Sequence, residues 1–249
     1  MLRAPAGRQA QVDERTPSGR ARSPHVTLPA AERALLAHVW HRAYEFFYGW
    51  LKGFTTILFR ALFRVRRVGA HQPLPPGGLI LCPNHQSYLD PAFVQLVVER
   101  RVIFVMTNAF YSSRGAHWFF RLVGALPVGS GRLALTTMKR AAALLRLGNT
   151  LVVFPEGRLS EDGSLHPAQR GIAILARRGR SPIVPVAIEG SRRAWRKGGA
   201  WMRKADVRVA FGAAVPCDST GGREADQRFA DEILARIAGL KAAIPYRGR

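Results

Sequence analysis

The chain has 249 residues, with 38 Lys+Arg against 16 Asp+Glu, a formal net charge of +22 and a pI near 11.6. Hydrophobic residues make up 47%, enough to build a core, which excludes a disordered basic tail. Two cysteines, Cys82 and Cys217, are too few for a disulfide scaffold or a Cys-rich zinc module. The charge calls for an anionic partner, and nucleic acid, an anionic membrane surface and phosphorylated small molecules all qualify. Only 5 of the 38 basic residues are Lys, a skew that general composition bias also produces.

Residues 1–30 are rich in Ala, Gly, Pro, Ser and Arg and show no apolar period, so they are expected to form a disordered basic tail. No continuous apolar run follows Arg3 and Arg8, as a secretory signal peptide would require. Residues 31–68 differ. Trp40, Tyr44, Phe47, Leu51, Phe54, Leu58 and Leu62 recur at three- and four-residue spacing, which predicts amphipathic helices. The uncharged stretch 53–59 is too short to cross a bilayer, which takes ~20 apolar residues. Aromatic residues followed by Arg60, Arg64, Arg66 and Arg67 suit helices lying on anionic lipid. A helix packed on the protein core has the same spacing.

From about residue 69 to 249 strands alternate with helices. Short apolar runs predict strands at 79–82, 102–106, 125–128, 150–154, 182–188 and 207–211, and helical periods cover 87–99, 133–147, 171–178 and 223–241. Gly148-Asn149 is a helix C-cap signal. The expected fold is α/β: a mixed, largely buried β-sheet flanked by helices and preceded by the N-terminal amphipathic helices.

Reactive side chains follow three of these strands, where open α/β sheets build their sites. In Asn84-His85-Gln86-Ser87-Tyr88-Leu89-Asp90, Ser87 can N-cap the next helix with Asp90 as its capping-box partner. That spacing lets Asp90 face His85, and a carboxylate beside an imidazole fixes its tautomer and stabilises its protonated form. His85 is then a candidate general base toward a hydroxyl; the alternative is a cap and a turn with no chemistry. In Phe154-Pro155-Glu156-Gly157-Arg158-Leu159-Ser160, Gly157 allows backbone to approach a ligand closely and Arg158 can hold a phosphate. Glu156 can orient Arg158 or accept a hydrogen bond from a substrate. Arg170, at a predicted helix start, is a second candidate anion contact.

Taken together, Asn84-His85-(x4)-Asp90, Phe154-Pro155-Glu156-Gly157 and Val184-Pro185-Val186-Ala187-Ile188-Glu189-Gly190 resemble the motifs of the glycerophospholipid acyltransferases, the lysophosphatidic-acid-acyltransferase-like group, over about residues 65–215. The resemblance implies direct transfer of a fatty acyl group from acyl-CoA or acyl-carrier protein to the free hydroxyl of a lysophospholipid. His85 would be the base, Asp90 its support, and Glu156, Gly157 and Arg158 the contacts to the acceptor's glycerol phosphate. It implies no metal and no bound cofactor, and a peripheral location on the cytoplasmic face of a membrane. Arg158 stands one position earlier than the Arg of the family's usual Thr-Arg-Ser. The Arg that usually follows a short apolar strand corresponds here to Arg132, displaced by Gly129-Ser130-Gly131. Thr107-Asn108 stand where relatives often carry Lys.

A different class of reading remains for Ser191–Lys204, where Arg192, Arg193, Arg196, Lys197, Arg203 and Lys204 interleave with Trp195 and Trp201. Single-strand nucleic-acid binders use such a pattern, and so do proteins on anionic headgroups. Nucleic-acid binding has no use for the His85–Asp90 pair. The seven His are scattered without a His-x3-His pair, so no metal hydrolase is expected.

Overall fold

The computed structural model describes residues 49–245, apart from 52, 70–72, 113–116, 123, 130, 197, 200, 219 and 220. The tail expected over 1–30 and the segment 31–48 lie outside the described residues. The chain divides between Phe47 and Tyr48, and the described residues belong to the second unit, Tyr48–Arg249.

Helix α1 covers residues 49–51 and 53–62. The chain then runs β1 (Arg64–Val68), β2 (Leu79–Pro83), α2 (Asp90–Val97), β3 (Val102–Thr107), α3 (Asn108–Tyr111), α4 (His117–Leu122), β4 (Leu126–Val128), α5 (Gly131–Arg146), β5 (Thr150–Val153), α6 (Gly171–Gly179), β6 (Ile183–Glu189), α7 (Ser191–Ala194), β7 (Asp206–Phe211) and α8 (Arg223–Ala243). These strands form a seven-stranded sheet ordered β1-β7-β6-β2-β5-β3-β4. Its pairings are parallel except β6 with β7. The expected mixed α/β architecture is the one observed.

Strand β2 sits at the centre, and all five of its residues are buried, as an unbroken apolar run predicts for a strand covered on both faces. Successive side chains point to opposite faces. Ile80 and Cys82 join Leu151 and Ile183 in a core with Leu145, Ile172, Ile233 and Ile237 from α5, α6 and α8. Leu79 and Leu81 join Val152, Val184 and Val186 in a core with Phe93 and Val94 of α2. Phe59 and Phe63 close this second core, with the Phe63 and Phe93 rings edge to face at 5.2 Å.

The helical segment expected to reach residue 68 stops at 62. Arg64–Val68 instead pairs in parallel with β7 at the sheet edge, its residues exposed or half-buried. An edge strand tolerates such charge, and charge there also blocks pairing with another chain. The helix expected over 87–99 spans only Asp90–Val97. Ser87 Oγ accepts from Leu89 N–H and donates to the Trp195 carbonyl at 2.9 Å, so the chain remains a turn until Asp90, and Val98 is already extended. Phe154 lies just past β5 rather than inside it. The Gly148-Asn149 cap forms as expected, with Gly148 N–H on Leu145 O at 2.9 Å and Asn149 N–H on Leu144 O at 3.1 Å.

Gly78, at the entry to β2, has no room for a side chain. An added Cβ would overlap the Leu145 carbonyl and stand 2.7 Å from Ser181 Oγ. Gly78→Ala is expected to cost about 3 kcal/mol, the upper end of ordinary overpacking. A lowered urea midpoint at unchanged slope checks this, and an unchanged midpoint contradicts it.

Candidate active site

Beyond Pro83 the chain leaves β2 and is stitched to the neighbouring strand. Asn84 Nδ2 donates to the Ile188 carbonyl at 3.0 Å, and Ile188 N–H donates back to Asn84 Oδ1 at 2.7 Å. Gln86 Nε2 donates to the same carbonyl at 2.5 Å. These side-chain bonds replace the strand ladder and fix the loop that carries His85.

Asp90, fully buried at the first turn of α2, organises that loop. Its Oδ2 accepts from Gln86 N–H at 2.7 Å, from Ser87 N–H at 2.8 Å and from His85 Nδ1 at 2.9 Å. An ionised carboxylate only accepts, so Nδ1 carries the imidazole proton and Nε2 keeps its lone pair. The ring is also held from its face by Phe154, with centroids 3.9 Å apart and planes at 26°. Two contacts of different kinds therefore set its orientation.

Glu156 ties this loop to the one after β5. Its Oε1 accepts from His85 N–H at 2.9 Å and its Oε2 from His166 N–H at 2.8 Å. Burial pushes its carboxyl above the ordinary value, and these N–H bonds only partly oppose the rise. Gly157 has φ +66°, the left-handed region that favours glycine, and a backbone turn of this kind lets the chain pass close under a ligand. The exposed Arg158 donates from Nη2 to His166 Nδ1 at 3.0 Å.

His85 and Arg158 both line a cavity of about 420 Å³. Phe104 and Met106 of β3, Val128 of β4, Met138 of α5 and Ile172 and Leu175 of α6 make its wall apolar. The site thus combines an oriented imidazole, an apolar hollow and a guanidinium. Cavities of this kind suit a ligand with a hydrocarbon body and few polar atoms.

A family model described as acyltransferase matches residues 65–189. The chain belongs to the acyltransferase family. It is 38% identical over 135 residues to a 1-acyl-sn-glycerol-3-phosphate acyltransferase of Limnanthes douglasii, covering 53% of this chain and 48% of the relative. It is 30% identical over 128 residues to the human 1-acyl-sn-glycerol-3-phosphate acyltransferase alpha, covering 50% of this chain and 45% of that one. The chain therefore spans about half the length of the curated relatives it matches. The fold is that of the crystal structure of the 1-acyl-sn-glycerophosphate (LPA) acyltransferase PlsC from Thermotoga maritima, with a TM-score of 0.66, 21% identity and 84% of each chain covered.

Within this family member, the structure gathers His85, Asp90, Glu156, Gly157 and Arg158 around one strand-end region. The Glu156 carboxylate is bonded to the backbone N–H groups of His85 and His166, which links the two loops, and it does not line the cavity. Arg170 stands exposed just ahead of α6, between Gln169 and Gly171 of the cavity lining but not itself part of it. The side chain of Arg132 lies outside the described residues. Sequence reasoning missed His166, whose role comes from contacts with Glu156 and Arg158 and leaves no spacing signal. It also missed Phe154 as the ring against His85, although an aromatic immediately past a buried strand was the available cue. Cys82 is buried, which pushes its thiol well above the ordinary value and makes it an inert core residue.

Glu156→Gln removes one of the two bonds, because an amide nitrogen must then face a backbone N–H. Leaving that donor unsatisfied is expected to cost about 1–3 kcal/mol at acid pH. With its folded value raised, Glu156 contributes stability that is fully present below the unfolded carboxyl value and is lost as pH rises through the folded one. The gap between wild type and Glu156→Gln should therefore narrow as pH rises. Denaturant midpoints across acid to neutral pH check it, and a widening gap contradicts it.

Proposed function

We propose that this acyltransferase moves a fatty acyl group from an acyl thioester, acyl-CoA or acyl-carrier protein, to the free hydroxyl of a lysophospholipid, above all 1-acylglycerol-3-phosphate. The observation that carries the reading is the His85 Nδ1–Asp90 Oδ2 contact of 2.9 Å on the wall of the 420 Å³ apolar cavity.

The acceptor oxygen attacks the thioester carbonyl carbon while its proton passes to His85 Nε2. The imidazolium so formed is stabilised by the Asp90 carboxylate. The tetrahedral oxyanion then collapses, the carbon–sulfur bond breaks, and the thiolate leaves with the proton from His85. Acyl transfer is direct, with no Ser or Cys nucleophile and no bound cofactor. Arg158, in contact with His166, is the partner for the acceptor phosphate. Glu156 and Gly157 position rather than react.

With a lysophospholipid as acceptor, the protein works at the cytoplasmic face of a membrane. No helix among the described residues is long and apolar enough to cross a membrane. Helix α1 exposes Trp50, Phe54, Ile57, Leu58 and Leu62 while its Phe59 joins the core, so one helix serves both packing and an outward apolar face.

The test is purified protein in detergent with labelled acyl-CoA and a panel of lysolipids. Lysophosphatidic acid is expected to be the fastest acceptor, and Arg158→Ala should raise its KM about tenfold, as removal of a charge-assisted phosphate contact does. An equal rate on lysophosphatidylcholine, unaffected by Arg158→Ala, would move the reading to another acceptor headgroup.

A further inference from the structure

Immediately beyond β6 the chain builds a second cavity, of about 790 Å³. Arg192, Arg193, Arg196, Arg203, Lys204 and Lys241 all line it. Two carboxylates share the wall. Glu189 Oε1 is paired with Lys241 Nζ at 3.2 Å, and Asp162 is held down at about 2 by hydrogen bonds from Ser164 and Ser160. Cations outnumber carboxylates in one concavity, so its potential is strongly positive and an anion entering it is favoured. Arg192 is fixed in place, donating from Nε and Nη2 to the Glu161 carbonyl at 3.0 and 2.8 Å. Trp201, 78% exposed, adds a flat apolar face to the lining.

This basic cavity adjoins the one at His85. Gln86 lines the basic side, while its neighbours His85 and Tyr88 line the apolar side. Trp195, on the basic side, meets the Tyr88 ring edge-on at 5.5 Å, and its carbonyl accepts from Ser87 Oγ at 2.9 Å. The loop that presents the imidazole thus contributes side chains to both hollows.

We propose that the basic cavity seats the nucleotide end of an acyl-CoA donor, which rests on the acyl-transfer reading above. Its phosphates lie on the Arg and Lys side chains, its adenine on Trp201, and its pantetheine arm crosses at Tyr88 and Trp195 to bring the thioester to His85. A carrier protein or a lipid surface also presents phosphate, but each meets a protein over an open face, whereas this site is a hollow in the size range of small-molecule pockets, ~300–1,000 Å³. Planar adenine stacking and phosphate pairing use both kinds of side chain found there.

The test uses adenosine 3′,5′-bisphosphate, which carries the nucleotide without the pantetheine arm, titrated calorimetrically into the whole protein and an Arg203→Ala/Lys204→Ala variant. Wild type should bind it, and the variant should bind it about tenfold more weakly for each phosphate-binding side chain removed. In parallel, kcat/KM for palmitoyl-CoA should fall in the variant by a similar factor relative to kcat/KM for palmitoyl-N-acetylcysteamine, a thioester without nucleotide. The proposal is overturned if wild type does not bind the bisphosphate. It is equally overturned if the variant loses activity only with acyl-carrier protein, or only binding to phosphatidylglycerol vesicles, with palmitoyl-CoA unaffected. Absence of transfer from every donor would sink the acyl-transfer reading, while the titration still decides whether the cavity takes a nucleotide.

Discussion

His85→Ala is expected to lower acyl transfer by ~10²–10⁴-fold, the usual contribution of a positioned general base. The reduction should fall on kcat, because the imidazole acts on the hydroxyl proton in the transition state and contributes little to holding the acyl chain. The fold should survive. The variant gives up the Nδ1 bond and the ring stacked on Phe154, yet Asp90 keeps both backbone N–H donors. Stability should therefore fall by only about 1–3 kcal/mol. Circular dichroism and a urea titration separate the two effects. A variant that keeps the native spectrum and the full rate would contradict the role given to His85.

Asp90→Asn is the second large effect, and it should damage both rate and stability. One carboxylate oxygen collects three donors inside a fully buried position. An asparagine that turns its oxygen to them buries its amide nitrogen where Asp90 Oδ1 has no hydrogen-bond partner among the described residues. Turned the other way, it opposes N–H to N–H. In neither orientation can it stabilise an imidazolium. A rate reduction of ~10²–10⁴-fold is expected, together with about 3 kcal/mol of stability, as when one partner of a buried charged network is removed. Parallel kcat and denaturant measurements check it. A fall of less than tenfold in kcat would mean that Asp90 only caps the turn.

Much of this architecture was readable from local chemistry. Leu79–Pro83 declares itself because an unbroken apolar run after paired glycines fits a strand buried on both faces. The His85–Asp90 contact follows from a four-residue gap across one strand-to-helix bend. What stayed hidden depends on distant partners. Ser87 was a good N-cap by its spacing, but its hydroxyl bonds to Trp195, 108 residues away in sequence, and α2 starts later. Strand β1 is mostly arginine, and only its pairing with β7 makes it a strand. Glu156 holds His85 N–H across 71 residues, which no spacing in the sequence announces. The charges of Ser191–Lys204 were plain, but the convergence of Arg192, Arg193, Arg196, Arg203 and Lys204 on one hollow beside the His85 loop is a property of the fold alone.

Acylation of a lysophospholipid by His85 is tested most directly by mass-spectrometric detection of product. Purified wild type and His85→Ala would be incubated side by side with 1-acylglycerol-3-phosphate and acyl-CoA. Wild type is expected to yield phosphatidic acid and free CoA in equal amounts, and the variant almost none. Product from neither protein, or equal product from both, would contradict the role of His85 in acyl transfer.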